Sequence, residues 1–114
     1  MASLVDFSRI RETSDGDTEF EQELIEMYLE DAQLHVEDII AKAAATDFGG
    51  IKSTAHTLKG ASANIGAVAM QEAALNVEKS ASSNDSDTLQ DQVREIRTVF
   101  SETDAVFKNY LKDL

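Results

Sequence analysis

Apolar side chains recur at alternating spacings of four and three along most of this 114-residue chain, and no proline interrupts them. That rhythm matches the 3.6-residue turn of an α-helix, so each run predicts an amphipathic helix with one apolar stripe. Only five glycines, at positions 16, 49, 50, 60 and 66, offer places where regular structure must stop.

From Asp17 to about Ala45 the stripe is Ile25, Leu29, Ala32, Val36, Ile39 and Ala43. This first long helix follows the turn-forming Ser14, Asp15 and Gly16, has acidic residues in its early turns where the helix dipole favours them, and stops at the Thr46–Gly50 break. A second carries Phe48, Ile51, Ala55, Leu58, Ser62 and Ile65 until Asn64 and Gly66 supply a stop. A third runs from about Ala67 to Ser80 with Met70, Ala73, Ala74 and Val77 inward. The polar run 82–86 then provides capping side chains for a fourth, whose stripe is Leu89, Val93, Ile96, Phe100, Thr103, Phe107, Tyr110 and Leu114. Asp6 to Arg11 predicts a short extra helix.

Four such helices joined by short loops, with no strand pattern, predict an all-α fold: an antiparallel up-down-up-down four-helix bundle with a short extra N-terminal helix, forming one domain over residues 1–114. The absence of cysteine leaves stability to core packing and suits a reducing compartment. No apolar run approaches the roughly 20 residues of a spanning helix, and Asp6 and Arg9 interrupt any signal-peptide core after Leu4 and Val5. A soluble, cytoplasmic protein with no membrane association is expected, and the start at Met1 favours a free-standing chain.

Charge excludes another class. Ten Lys and Arg against 22 Asp and Glu leave a formal charge of −12, which repels nucleic acid over most of the surface. No GxxxxGK[ST] loop and no GxGxxG after a strand is present, so the chain shows no recognisable means of binding ATP and is not a kinase alone. A di-iron site in a bundle needs paired Glu-x-x-His motifs, but Ala32 and Ser53 stand three residues before His35 and His56. No metal site is expected from that source.

The two histidines differ. His35 lies among Asp31, Glu37 and Asp38 and reads as a solvated residue on an acidic face, a weak divalent-metal site being the minor alternative. At about 100° per residue, His56 points about 130° away from the centre of its helix's core stripe and so faces solvent. Its wheel neighbours are Gly49, Lys52, Gly60 and Ala63, with Lys59 and Ser53 slightly further round.

Glycine inside a helix costs about 1 kcal/mol relative to alanine, so Gly60 calls for an offsetting reason. Either it gives a partner close access to the imidazole, or it permits tight helix packing or a local bend. Lys52 and Lys59, four before and three after His56, form a local cationic patch on an acidic protein. Such a patch favours an anion at His56 and disfavours imidazolium, leaving a neutral ring with one nitrogen available as a nucleophile.

The run from Ala55 to Gly66, with His56 followed by Leu58, Lys59, Gly60 and, ten residues on, Gly66, resembles the signature of histidine-containing phosphotransfer domains, the HPt family of two-component phosphorelays. The resemblance implies that His56 accepts a phosphoryl group from a receiver-domain aspartate and passes it to another, as a phosphocarrier without autonomous kinase activity. It implies that Lys59 helps hold the phosphoryl group, that Gly60 clears space for the receiver, and that Gly66 turns the chain into the next helix. Where the family commonly carries glutamine on that helix, this chain has Glu78. A carboxylate there repels phosphohistidine, yet it can accept a hydrogen bond from Nδ1–H and leave Nε2 free to attack.

The implied partners are receiver domains of response regulators or hybrid histidine kinases. No cofactor is expected on a monomeric chain of this kind, with Mg²⁺ belonging to the receiver. Phe7 and Ile10 are candidates either for docking area or for a lid on the core. The alternative reading is an acidic helical interaction module without phosphotransfer, its histidine incidental.

Overall fold

The computed structural model describes residues 3–114. Five helices follow in order: α1 Ser8–Ser14, α2 Thr18–Ala44, α3 Phe48–Ile65, α4 Val68–Ser82 and α5 Ser86–Lys112. Each long helix starts where the sequence supplies an acceptor. The Asp17, Asp47 and Asp85 carboxylates take the Phe20, Gly50 and Thr88 amides at 3.1, 3.0 and 3.1 Å. No side chain caps α4, and the Leu4 carbonyl accepts from Ala69 N at 3.2 Å instead.

The bundle is square in section, with α2 and α4 each lying between α3 and α5. The inward stripes close one core in which Ile25, Ile39, Ile51, Leu58, Met70, Ile96 and Phe107 are fully enclosed. Three expectations shift. The third predicted helix continues to Ser82, because Ser80 and Ala81 are themselves buried and carry the pattern further. The short extra helix begins at Ser8 rather than Asp6, since the Asp6 carboxylate accepts from the Ser8 amide and hydroxyl in a turn that precedes the helix. Leu114, last on the predicted stripe, is 44% exposed beyond the end of α5.

Helix lengths shape what remains. With 27 residues each, α2 and α5 outrun α3 and α4, which have 18 and 15. At their shared overhang α1 fills the missing quarter. Phe7 stacks on Tyr110 with ring centroids 4.3 Å apart and meets Phe107 edge-on at 5.9 Å, while Ile10 is 1% exposed. Both residues therefore pack as a lid on the core, Phe7 half-buried and Ile10 enclosed. Beneath them Tyr110 donates to the carboxylate of the buried Glu21.

Gly66 makes the junction between these parts. Its φ of +82° closes α3, its carbonyl accepts from Asp6 N at 2.7 Å, and any Cβ would strike the Asp6 carbonyl.

Candidate functional site

α3 is held along three flanks and open along the fourth. Ile51, Ala55, Leu58 and Ser62 are fully buried. Towards α2, the Tyr28 and Ser62 hydroxyls meet at 2.7 Å, and Thr54 donates to Asp38 Oδ2 at 2.7 Å. Lys42 joins the same Asp38 oxygen at 2.7 Å. The Lys42 ammonium and the Thr54 hydroxyl hold the Asp38 carboxyl below its ordinary range.

Towards α4 the tie is Glu78. Its Oε1 accepts from Lys59 Nζ at 2.7 Å, and its Oε2 lies 3.0 Å from His56 Nδ1. The Lys59 hydrogen bond, followed by the weaker contribution of His56, lowers the Glu78 carboxyl from its usual value against the opposing effect of burial. An ionised carboxylate can only accept, so Nδ1 carries the proton, and in the neutral ring the lone pair lies on Nε2. No side chain among the described residues bonds Nε2, and 68% of the imidazole side chain is exposed.

The open flank is a shallow depression lined by Gly49, Lys52, Ser53, His56, Thr57 and Glu78. A Cβ built on Gly60 meets nothing within 4 Å, so no packing contact among the described residues explains this glycine. Its backbone remains helical through the position, with no break in α3. Ala63 continues the same small-residue face, half-buried one turn beyond.

The site thus brings His56, Lys59 and Glu78 together, keeps Lys52 at the rim, and leaves Gly60 and Ala63 as clear space. One sequence expectation changes in substance. Lys59 is only 27% exposed and engages Glu78 rather than standing free beside His56, so the face is an ion-paired cluster with Lys52 exposed at its edge, not a purely cationic patch. His35 is half-buried on α2, away from this cluster, and no group of three or more His, Asp or Glu among the described residues is arranged to hold a metal ion.

The matching family model, described as the Hpt domain, spans residues 23–106 and places His56 near its middle. The chain belongs to the Hpt family. The function of this Hpt domain is histidine phosphotransfer in two-component phosphorelays, as a carrier of the phosphoryl group. Hpt domains interact there with receiver domains and histidine kinases.

Among solved structures, histidine-containing phosphotransfer protein B from Pseudomonas aeruginosa PAO1 superposes with a TM-score of 0.91 at 20% identity, over 100% of this chain and 99% of that one. A rice protein described as a histidine-containing phosphotransfer protein gives 0.86 at 21%, over 96% and 81% of the two chains. The Hpt domain of a Shewanella sensor hybrid histidine kinase gives 0.77 at 19%, over 97% and 96%. These likenesses carry the fold. Among the curated proteins, none matches the sequence significantly.

One feature of this Hpt domain lay outside the sequence reading. Met27 is 63% exposed, Leu34 61% and Phe20 39%, a row at spacings of seven on the outer face of α2. Beside it, Leu24 and Met27 line a groove with Ile10, Ala61 and Asn64. The signal was visible as a second apolar stripe on α2, displaced from the core stripe. No helix among the described residues is long and apolar enough to cross a membrane.

Proposed function

We propose that His56 is the phosphoacceptor of this Hpt domain, taking the phosphoryl group on Nε2 from a receiver aspartate and returning it to another. The observation that carries this reading is the exposed imidazole whose Nδ1 is committed to Glu78, 3.0 Å away, while no side chain among the described residues bonds Nε2. Phosphoryl transfer asks mainly for in-line approach and charge neutralisation, and a ring fixed in tautomer and orientation supplies the nucleophile for that geometry.

Lys59 lies within the same cluster, able to exchange part of its hold on Glu78 for an incoming phosphoryl oxygen. Lys52 at the rim offers a second cation. Gly60 and Ala63 let the receiver's active-site surface approach the ring. The apolar docking area is the groove that Leu24 and Met27 line with Ile10, Ala61 and Asn64, while Phe7 packs half-buried on the core beside it.

The chain works as a monomeric carrier in the cytoplasm, with no kinase activity, nucleic-acid partner, membrane association or cofactor of its own. Mg²⁺ belongs to the receiver, whose acidic pocket complements Lys52 and Lys59. The test is to incubate the protein with phosphorylated receivers and Mg²⁺. Wild type should acquire phosphate that is labile in acid and stable in base, and His56→Gln should not. Label retained by His56→Gln, or a wild type unlabelled by a broad panel of receivers, would overturn the proposal.

A further inference from the structure

Resting on His56 as phosphoacceptor, we infer that Glu78 keeps the Nδ1 proton on the ring through the whole transfer cycle, so that the phosphorylated ring is an imidazolium paired with this carboxylate and remains ready to release its phosphoryl group.

The geometry supplies the starting state. Glu78 Oε2 receives the Nδ1–H at 3.0 Å, and Lys59 holds the other carboxylate oxygen at 2.7 Å. Glu78 is 15% exposed, so this carboxylate is shielded enough for its charge to act on the ring.

During loading, the Nε2 lone pair forms the new N–P bond. The P–O bond to the donor aspartate breaks, and its electron pair leaves on that carboxylate. No proton has moved, so the ring now bears Nδ1–H and Nε2–P together and carries a positive charge opposite Glu78. During unloading, an acceptor carboxylate oxygen forms the new O–P bond, the N–P bond breaks, and its pair returns to Nε2. The ring is again neutral with its proton on Nδ1. If that proton were lost in between, the departing group would be an imidazolate anion, a far poorer leaving group.

The surrounding charges make Glu78 the deciding group. Lys52 and Lys59 on α3 oppose a cationic ring. On α2, Asp38 and Lys42 are engaged with each other and with Thr54 on the buried flank of α3. Glu78, on α4, is the carboxylate in contact with the imidazole, and its charge lies opposite the positive charge that loading leaves on the ring. A glutamine at this position keeps an acceptor for Nδ1–H but removes the charge.

The experiment loads wild type and Glu78→Gln with phosphoramidate, which needs no receiver. Protonation of the phosphorylated His56 ring is followed by ¹⁵N NMR, and transfer to one receiver is timed, both across about pH 6 to pH 9. In wild type, the Nδ1–H signature and fast transfer should persist at least about one pH unit higher than in Glu78→Gln, with transfer at the alkaline end about tenfold faster. Coincident pH profiles would overturn the inference. So would a wild type whose loaded ring loses its proton at the same pH folded as in urea, a comparison that does not depend on the variant folding. Failure of phosphoramidate to load His56 of the folded protein would instead remove the phosphoacceptor reading, and this inference with it.

Discussion

The Tyr28 and Ser62 hydroxyls meet at 2.7 Å inside the bundle and join α2 to α3 directly behind the face that carries His56. Ser62 is fully enclosed and Tyr28 is 6% exposed, so neither hydroxyl has water as an easy substitute. Burial pushes the Tyr28 phenol up to about 12, partly offset by the bond to Ser62. Tyr28→Phe should therefore cost about 1–2 kcal/mol in urea unfolding, because it strips an enclosed hydroxyl of this partner. Adding Ser62→Ala should cost less in the Tyr28→Phe background than in wild type. Strictly additive losses would show that the two hydroxyls are not coupled.

Gly60→Ala separates stability from function. With open space around the added Cβ, the substitution should raise stability by about 0.5–1 kcal/mol, the ordinary gain of alanine over glycine inside a helix. The same methyl stands one turn from His56 on the approach face, and a displacement of even a fraction of an ångström in the donor is costly for in-line transfer. Labelling from a phosphorylated receiver should slow by about tenfold or more. A variant both stabilised and fully active would mean that access is not why glycine occupies this position.

Much of this was legible in the sequence, and the misses have physical reasons. The four stripes located the helices because every element of a small bundle must bury one face, whereas the Asp17 and Asp47 caps emerge only in the structure and Asp85 was legible only as part of the polar run 82–86. His56 stood out as the residue facing away from its own stripe. The pairing of Lys59 with Glu78 did not, since wheel arithmetic places residues on one helix and says nothing about which side chain of the next helix intercepts them. Phe7 and Ile10 were ambiguous for a related reason. Their burial follows from the overhang of α2 and α5, a consequence of relative helix lengths that only assembly reveals. The Phe20, Met27 and Leu34 row is a second, sparser apolar stripe on a long helix, and periodicity alone does not say that a stripe displaced from the core face stays exposed.

Acid should dissolve the α3–α4 tie before it unfolds the bundle. The Glu78 carboxyl is lowered chiefly by Lys59, so its stabilising contribution is fully present above its ordinary value of 4.5 and is lost as pH falls through the lower folded value. At neutral pH, Glu78→Gln should destabilise the protein by about 0.5–1 kcal/mol. As pH falls below 4.5 and through the lowered folded value, the difference between variant and wild type should shrink towards zero, with chemical unfolding at stepped pH as the measurement. A penalty unchanged over that range would mean that the carboxylate charge contributes nothing to the tie.

Gly66 should tolerate substitution least of the glycines. Alanine there must adopt a φ near +82° and press its methyl against the Asp6 carbonyl, threatening the 2.7 Å bond from Asp6 N that anchors the N-terminal segment. The strain falls on the junction of α3, α4 and the residues leading into α1, not on the middle of α3. Gly66→Ala should thus lose about 2–4 kcal/mol in equilibrium unfolding. Amide exchange should quicken first at Asp6 and Ala69, whose backbone bonds to Gly66 and Leu4 close this end of the bundle. The His56–Glu78 pair lies further along the bundle, so phosphoryl acceptance measured well below the unfolding transition should stay within about twofold of wild type. A large loss of acceptance in a protein still fully folded would show that the cap and the transfer site are coupled, against the division of the bundle into a structural end and a reactive face.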